Sequence, residues 1–232
     1  MSYLNESRVV VRGLIERKVP FVFTKWGDAE IEWIYGIGGG AAEREVRTPA
    51  KAALLTAAWL EFAKMPGLWL GDWRSASNPQ VQYPDEYERM LDHCVDVRYL
   101  HYETFLSMVL SIELRELFEA IRADPRKKML VAPEPLFPAA DWLGCDMMQR
   151  AAWSDGCDYA IEAADRILAL AGSIEVAYFC AGRASKIMMS RVATIRPEMT
   201  LVDLGSALDP AFIGRTRSQQ VPHHVAKEFF GL

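Results

Sequence analysis

Val19-Pro-Phe-Val-Phe-Thr-Lys-Trp-Gly-Asp-Ala-Glu-Ile-Glu-Trp-Ile-Tyr35 is the stretch whose reading decides the fold. Phe21, Val22 and Phe23, after Pro20, form a short apolar run that suits a buried strand. Gly27 then punctuates the chain, Asp28 stands at a helix N-cap position, and Ile31, Ile34 and Tyr35 follow at helical spacing. A strand that ends in a small residue and two carboxylates presents them at the carboxyl edge of a sheet, where open α/β sheets bind ligands. If the backbone is still extended at Asp28 and Glu30, both side chains leave on one face, close enough to share one hard cation. The alternative is a capping Asp followed by a first-turn Glu, both favoured by the helix dipole.

A second witness lies near the C-terminus. Residues 174–180 read as a strand, followed at once by Ala181-Gly182-Arg183-Ala184-Ser185-Lys186 and a helical pattern through Ile187, Met188, Val192 and Ile195. Residues 199–203 then form another strand, ending in Asp203 with Gly205 and Ser206 just beyond. Strand, helix and strand in that order predict an α/β fold: a single-domain, Rossmann-like sheet, mostly parallel and flanked by helices.

The rest of the chain supplies further elements. Residues 4–17 read as a helix, Thr48-Pro49 opens another, and residues 68–73 form a short strand leading to Asp72 and Arg74 in a turn. Residues 84–94 form a polar helix, and 95–99 a brief strand or a lead-in. The strongest helical pattern runs over 102–122, through Phe105, Leu106, Val109, Leu110, Leu114 and Leu117. His101 precedes it as an exposed residue. Arg126-Lys127-Lys128 reads as a solvated entry to a strand at 129–132. Residues 145–151 suggest a further strand and 157–171 a helix. The glycine-rich segment 36–40 is a connection or a lid over a ligand; no GxGxxG fingerprint is present, because these glycines follow a helix rather than a strand.

Composition narrows the function classes. The chain has 232 residues, 51% hydrophobic and 25% charged, which suits one globular domain with an ample core. Four cysteines show no CxxC pair and no His at ligand spacing, so neither a zinc site nor a disulfide framework is expected, and a reducing cytoplasm is the simpler compartment. No 18-residue apolar run suggests a membrane span. A net charge of −5 argues against wide contact with nucleic acid. Seven tryptophans are many for this length; Trp26, Trp33, Trp69 and Trp73 flank strand exits, where a ring can stack on a sugar or a base.

Three ordered blocks, Lys25-Trp26-Gly27-Asp28-Ala29-Glu30, Ala181-Gly182 and Asp203-Leu204-Gly205-Ser206-Ala207-Leu208-Asp209, resemble the GT-D class of glycosyltransferases, which includes many phage-encoded members. The resemblance spans most of the chain, with two departures. Lys25-Trp26 stands where Arg-Phe is commoner, which keeps the charge but loses a planar fork. Ala29 replaces a central Gly, which disfavours positive φ there.

The resemblance implies a metal-dependent transferase using a nucleotide-sugar, a UDP-sugar being the first choice. Asp28 and Glu30 would hold Mn²⁺ or Mg²⁺ against the departing diphosphate. Lys25, Trp26, Gly27, Gly182, Arg183, Gly205 and Ser206 would contact the donor, with backbone N–H groups at Gly182 meeting phosphate or ribose. Asp203 or Asp209 would serve as acceptor base or bind the sugar. Arg215 and Arg217, beyond the last strand, suit phosphate clamping. Two acceptors remain open: a glycan or glycoprotein, and a hydroxymethylated pyrimidine in phage DNA, which would have to be flipped from a duplex. The competing classes are a nucleotide-binding module without catalysis and a metal-dependent phosphohydrolase.

Overall fold

In a computed structural model, residues 1–37, 45–77, 82–152, 156–170, 172–214 and 221–232 are described. Helix α1 (Tyr3–Glu16) leads into β1 (Val22–Lys25), α2 (Asp28–Tyr35) and α3 (Pro49–Ala63). Next come β2 (Leu68–Asp72), α4 (Pro84–Leu91), β3 (Val97–His101) and α5 (Ile112–Ala123). Strand β4 (Lys128–Ala132), α6 (Pro138–Leu143), β5 (Met147–Arg150) and α7 (Ala160–Leu170) follow. The chain closes with β6 (Val176–Phe179), α8 (Arg183–Ile195), β7 (Thr200–Asp203), α9 (Asp209–Phe212) and α10 (His223–Phe230).

The strands form one seven-stranded sheet in the order β3-β2-β1-β7-β6-β4-β5, and every pair is parallel. Parallel neighbours need crossovers, so both faces carry helices and the middle strands are apolar throughout. Accordingly β1, β4, β6 and β7 are buried along their length, while the edges β3 and β5 keep exposed residues. One core layer joins α2, α3, α4, α7 and α8 to the sheet. The other lies beneath α1, α5, α6, α9 and α10.

This topology fixes where the chain opens. Strands β1 and β7 are neighbours, yet β1 exits toward α2 on one face and β7 toward α9 on the other. Diverging exits leave a crevice beyond the carboxyl ends of the two strands, a topological switch point.

Three expectations change. The N-cap of α2 is Gly27 rather than Asp28; Glu30 accepts the Gly27 N–H and closes the turn, so Asp28 becomes the first helical residue. The helix expected over 102–122 begins only at Ile112, capped by the Ser111 hydroxyl. Residues 102–111 instead form a loop whose Phe105 and Leu106 are buried, and whose Thr104 and Leu106 carbonyls accept from the buried Arg8 guanidinium. Finally, Arg126 and Lys128 are buried rather than solvated.

Candidate active site

Three central strand exits supply the side chains. From β1 comes Lys25, and from the first turn of α2 come Asp28 and Glu30; β7 ends in Asp203; α8, following β6, carries Lys186. The ammonium of Lys186 lies 2.7 Å from Asp203 Oδ2 and 3.5 Å from Glu30 Oε1. All three are buried, Asp203 completely. Backbone donors fix the carboxylates: Lys25 N–H donates to Asp203 Oδ2 at 3.3 Å, Gly205 N–H to Oδ1 at 3.0 Å, and Gly27 N–H to Glu30 Oε2 at 2.9 Å. Oppositely charged partners and backbone donors together offset the desolvation of a buried charge, which neither does well alone.

Lys25 points to the opposite face. Its ammonium donates to the Leu204 carbonyl at 3.3 Å and stands 5.5 Å from the centre of the Tyr102 ring. Space around it is tight: a Cβ on Gly205 would come within 2.6 Å of Lys25 Nζ, and φ of +59° there is also a glycine conformation. Gly27 passes under Tyr102 and Trp73, where a Cβ would meet the Tyr102 hydroxyl at 2.7 Å. Gly182, the N-cap of α8, turns the chain at φ 54°, ψ −133°, which leaves the first N–H groups of a 13-residue helix facing the crevice end of the sheet.

Arg183 is a brace. Only 2% exposed, its guanidinium lies 4.2 Å over the Trp33 ring while Nε–H donates to the Ala29 carbonyl at 3.0 Å. It therefore ties the start of α8 to the first turn of α2. Trp26 is fully buried against Trp59 and Phe62 and belongs to the core, so its ring does not face a ligand. Ser206 and Asp209 are buried past the β7 exit, where Asp209 N–H donates to the Ser206 carbonyl. Asp28 is half-buried at the rim. Arg215, Arg217 and, of the glycine-rich segment and the polar stretch after it, residues 38–44 lie outside the described residues.

The sequence reading missed Lys186 as a site residue, along with Tyr102, whose ring packs against Trp73, one of the tryptophans expected at a strand exit. Lys186 sits one turn after Gly182, and that spacing is the signal it carried. His101 is the last residue of β3 rather than a pre-helical residue; its Nδ1 accepts from Glu103 N–H, and burial lowers its pKa. Burial raises the Cys94 thiol to about 11 and the Cys145 thiol to about 12, which disfavours their thiolates at neutral pH.

A divalent cation can be weighed against these donors. Among the described residues, no three His, Cys, Asp or Glu side chains gather into a metal site. Glu30 and Asp203 already spend their oxygens on Lys186 and backbone N–H groups. Of these three carboxylates Asp28 is the one at the rim, and its Oδ1 accepts the Ala29 N–H at 2.9 Å. That set does not make a resident two-carboxylate cage; it fits an ion delivered with a diphosphate, which brings most of the oxygen ligands itself.

No protein-family model matches the chain, and no curated protein matches it. Two solved structures do, each over 97% of this chain and 91% of the other, with a TM-score of 0.59. One, 14% identical, is the selenomethionine-substituted structure of domain of unknown function 1792. The other, 12% identical, is of the highly conserved domain of unknown function 1792, which has a distinct glycosyltransferase fold. Among the described residues no helix is long and apolar enough to cross a membrane. In fold, the chain is similar to a glycosyltransferase-type domain.

Proposed function

We propose that the chain is a glycosyltransferase that takes its sugar from a nucleotide-sugar, a UDP-sugar first, bound in the crevice between the β1, β7 and β6 exits. The observation that carries the reading is the convergence of Glu30, Lys186 and Asp203 there, beside the N-termini of α2 and α8. The expected chemistry is departure of a nucleoside diphosphate, which concentrates negative charge on phosphate oxygens. Backbone N–H groups at Gly182 and the dipoles of α2 and α8 favour that charge where it develops.

Among the described residues, the carboxylates Asp28, Glu30, Asp203 and Asp209 stand with the cations Lys25, Arg183 and Lys186 around the crevice. Asp28 would hold Mn²⁺ or Mg²⁺ carried with the diphosphate, and the ion's contribution would be to neutralise the leaving group. Asp203, with no exposed surface, supports Lys186 instead of touching an acceptor. Asp209 is the remaining candidate for acceptor base, and Arg215 and Arg217 are candidates for phosphate contact. Of the two acceptor classes, a glycan or glycoprotein suits the net charge of −5 better than a hydroxymethylated base in DNA.

Thermal unfolding of the wild type and Asp28→Asn, with UDP, GDP or dTDP and with or without Mn²⁺, tests the reading. A ligand at about 100 times its dissociation constant adds about 2.7 kcal/mol, roughly 5 to 11 °C for a domain of this size. The expected result is a shift that needs both UDP and Mn²⁺ and is lost in Asp28→Asn. No shift with any nucleotide would remove the donor site.

A further inference from the structure

We infer that Lys186 is a positioning residue that divides the Asp-x-Glu pair: its ammonium fills the cation position between Glu30 and Asp203, and Asp28 alone meets a divalent ion. The inference goes beyond the donor reading in assigning Glu30 to the protein's internal charge network, and part of its test is independent of that reading.

Backbone geometry makes the division. Asp28 and Glu30 occupy the first turn of α2, where residues two apart point about 200° apart around the axis instead of sharing a face as in a strand. Glu30 is thus turned inward. One of its oxygens receives the Gly27 N–H at 2.9 Å, and the other faces Lys186 at 3.5 Å. Across the crevice floor, Asp203 gives Oδ2 to the same ammonium at 2.7 Å and Oδ1 to Gly205 N–H at 3.0 Å. Lys186 itself is 4% exposed and comes from a third strand exit. Two buried carboxylates from separate strands converging on one buried point is what a cation site offers, and here a covalently tethered cation fills it. An ion could enter only by expelling the ammonium. Asp28, half-buried at the rim, has no such competitor among the described ion pairs.

The fixed ammonium also explains how a crevice rich in carboxylates holds together without a ligand. Without Lys186, Glu30 and Asp203 would be two buried anions facing one another, a strongly unfavourable arrangement that draws in any available cation.

Two measurements test this. In the first, Mn²⁺ binding to the full chain is followed by loss of the free-ion EPR signal in the presence of UDP. Asp28→Asn is expected to weaken binding by about 10-fold or more. Glu30→Gln preserves the reciprocal cap, since glutamine also accepts the Gly27 N–H, and leaves Mn²⁺ affinity within a few-fold of wild type. Loss of Mn²⁺ in Glu30→Gln as great as in Asp28→Asn overturns the inference. In the second, no nucleotide is present. The thermal midpoint of Lys186→Met falls below wild type, and added Mn²⁺ or Ca²⁺ raises it again, while the wild type does not respond to the ion alone. A midpoint, or a yield of folded protein, that ignores the ion in Lys186→Met overturns the inference. If the wild type binds no Mn²⁺ with any nucleotide, the donor reading fails, and the second measurement still decides the place of Lys186.

Discussion

Lys186 and Lys128 are both buried lysines, set at opposite edges of the same sheet, and their surroundings differ in kind. Lys128, at the amino end of β4, donates to the carbonyls of Ile121 at 2.9 Å, Arg122 at 3.1 Å and Leu143 at 3.0 Å. Those carbonyls end α5 and α6, so one ammonium caps two helices, each presenting the negative end of its dipole. Lys186, at the carboxyl edge, faces two carboxylates. Lys128 thus meets neutral dipoles in a closed structural joint, beside a separate buried ion pair in which Arg126 forks onto Asp124 and reaches Thr200. The carboxyl edge uses full charges at a crevice. Charge-for-charge pairing is the more expensive of the two to break, because removing one partner leaves a buried charge unpaired.

The largest effect should follow from removing the two ammonium groups in turn. Lys186→Met breaks a buried ion network and strands Asp203, so we expect a loss of about 3 to 5 kcal/mol. Lys128→Met leaves carbonyls without a donor, and we expect about 1 to 3 kcal/mol. Urea unfolding at neutral pH measures both. Lys128→Met should also keep whatever nucleotide-dependent thermal shift the wild type shows. The reverse order of losses, or a nucleotide response abolished by Lys128→Met, would break the distinction between the two edges.

Much of this arrangement was legible in the sequence, and the rest failed for definable reasons. Apolar runs placed β1, β4, β6 and β7, because strands buried on both faces are continuous in hydrophobicity. Phe105 and Leu106 kept helical spacing yet sit in a loop, since burial alone produces that pattern when a side chain elsewhere, here Arg8, satisfies the loop carbonyls. Lys128 looked solvated because its acceptors are helix ends 6 to 15 residues away. Lys186 had no visible role because its partners are Asp203 on β7 and Glu30 after β1. Only the strand order brings those exits together, and strand order is not written in local periodicity. The direction of Glu30 turned on a shift of one residue in the start of α2.

A smaller effect distinguishes bracing from ligand contact on the carboxyl side. Arg183→Lys keeps the charge but loses the flat stack on Trp33 and the directed bond to the Ala29 carbonyl. A loss of about 1 kcal/mol in stability is expected, with UDP affinity within a few-fold of wild type by calorimetry. Affinity falling far more than stability would make Arg183 a phosphate ligand and move it from the frame of the crevice into its lining.

The smallest effect belongs to the amino edge and appears only in alkali. Burial lowers the Lys128 pKa from 10.5, against the opposing pull of Cys145, Asp124 and Asp146 and with Arg126 assisting. A lysine whose folded pKa is depressed loses its proton first in the folded state, so the unfolded chain binds more protons between the two values and stability rises with pH there. Below the depressed value both states are charged and Lys128 contributes no slope. Urea midpoints of the wild type and Lys128→Met, compared at about pH 8 and about pH 10, should therefore diverge as pH rises, because the wild type sheds the cost of a buried charge that the methionine never carried. A wild-type advantage over Lys128→Met that shrinks in alkali would mean that the helix-end carbonyls stabilise the ammonium more than burial disfavours it, and the joint at the amino edge would then hold its lysine by charge after all.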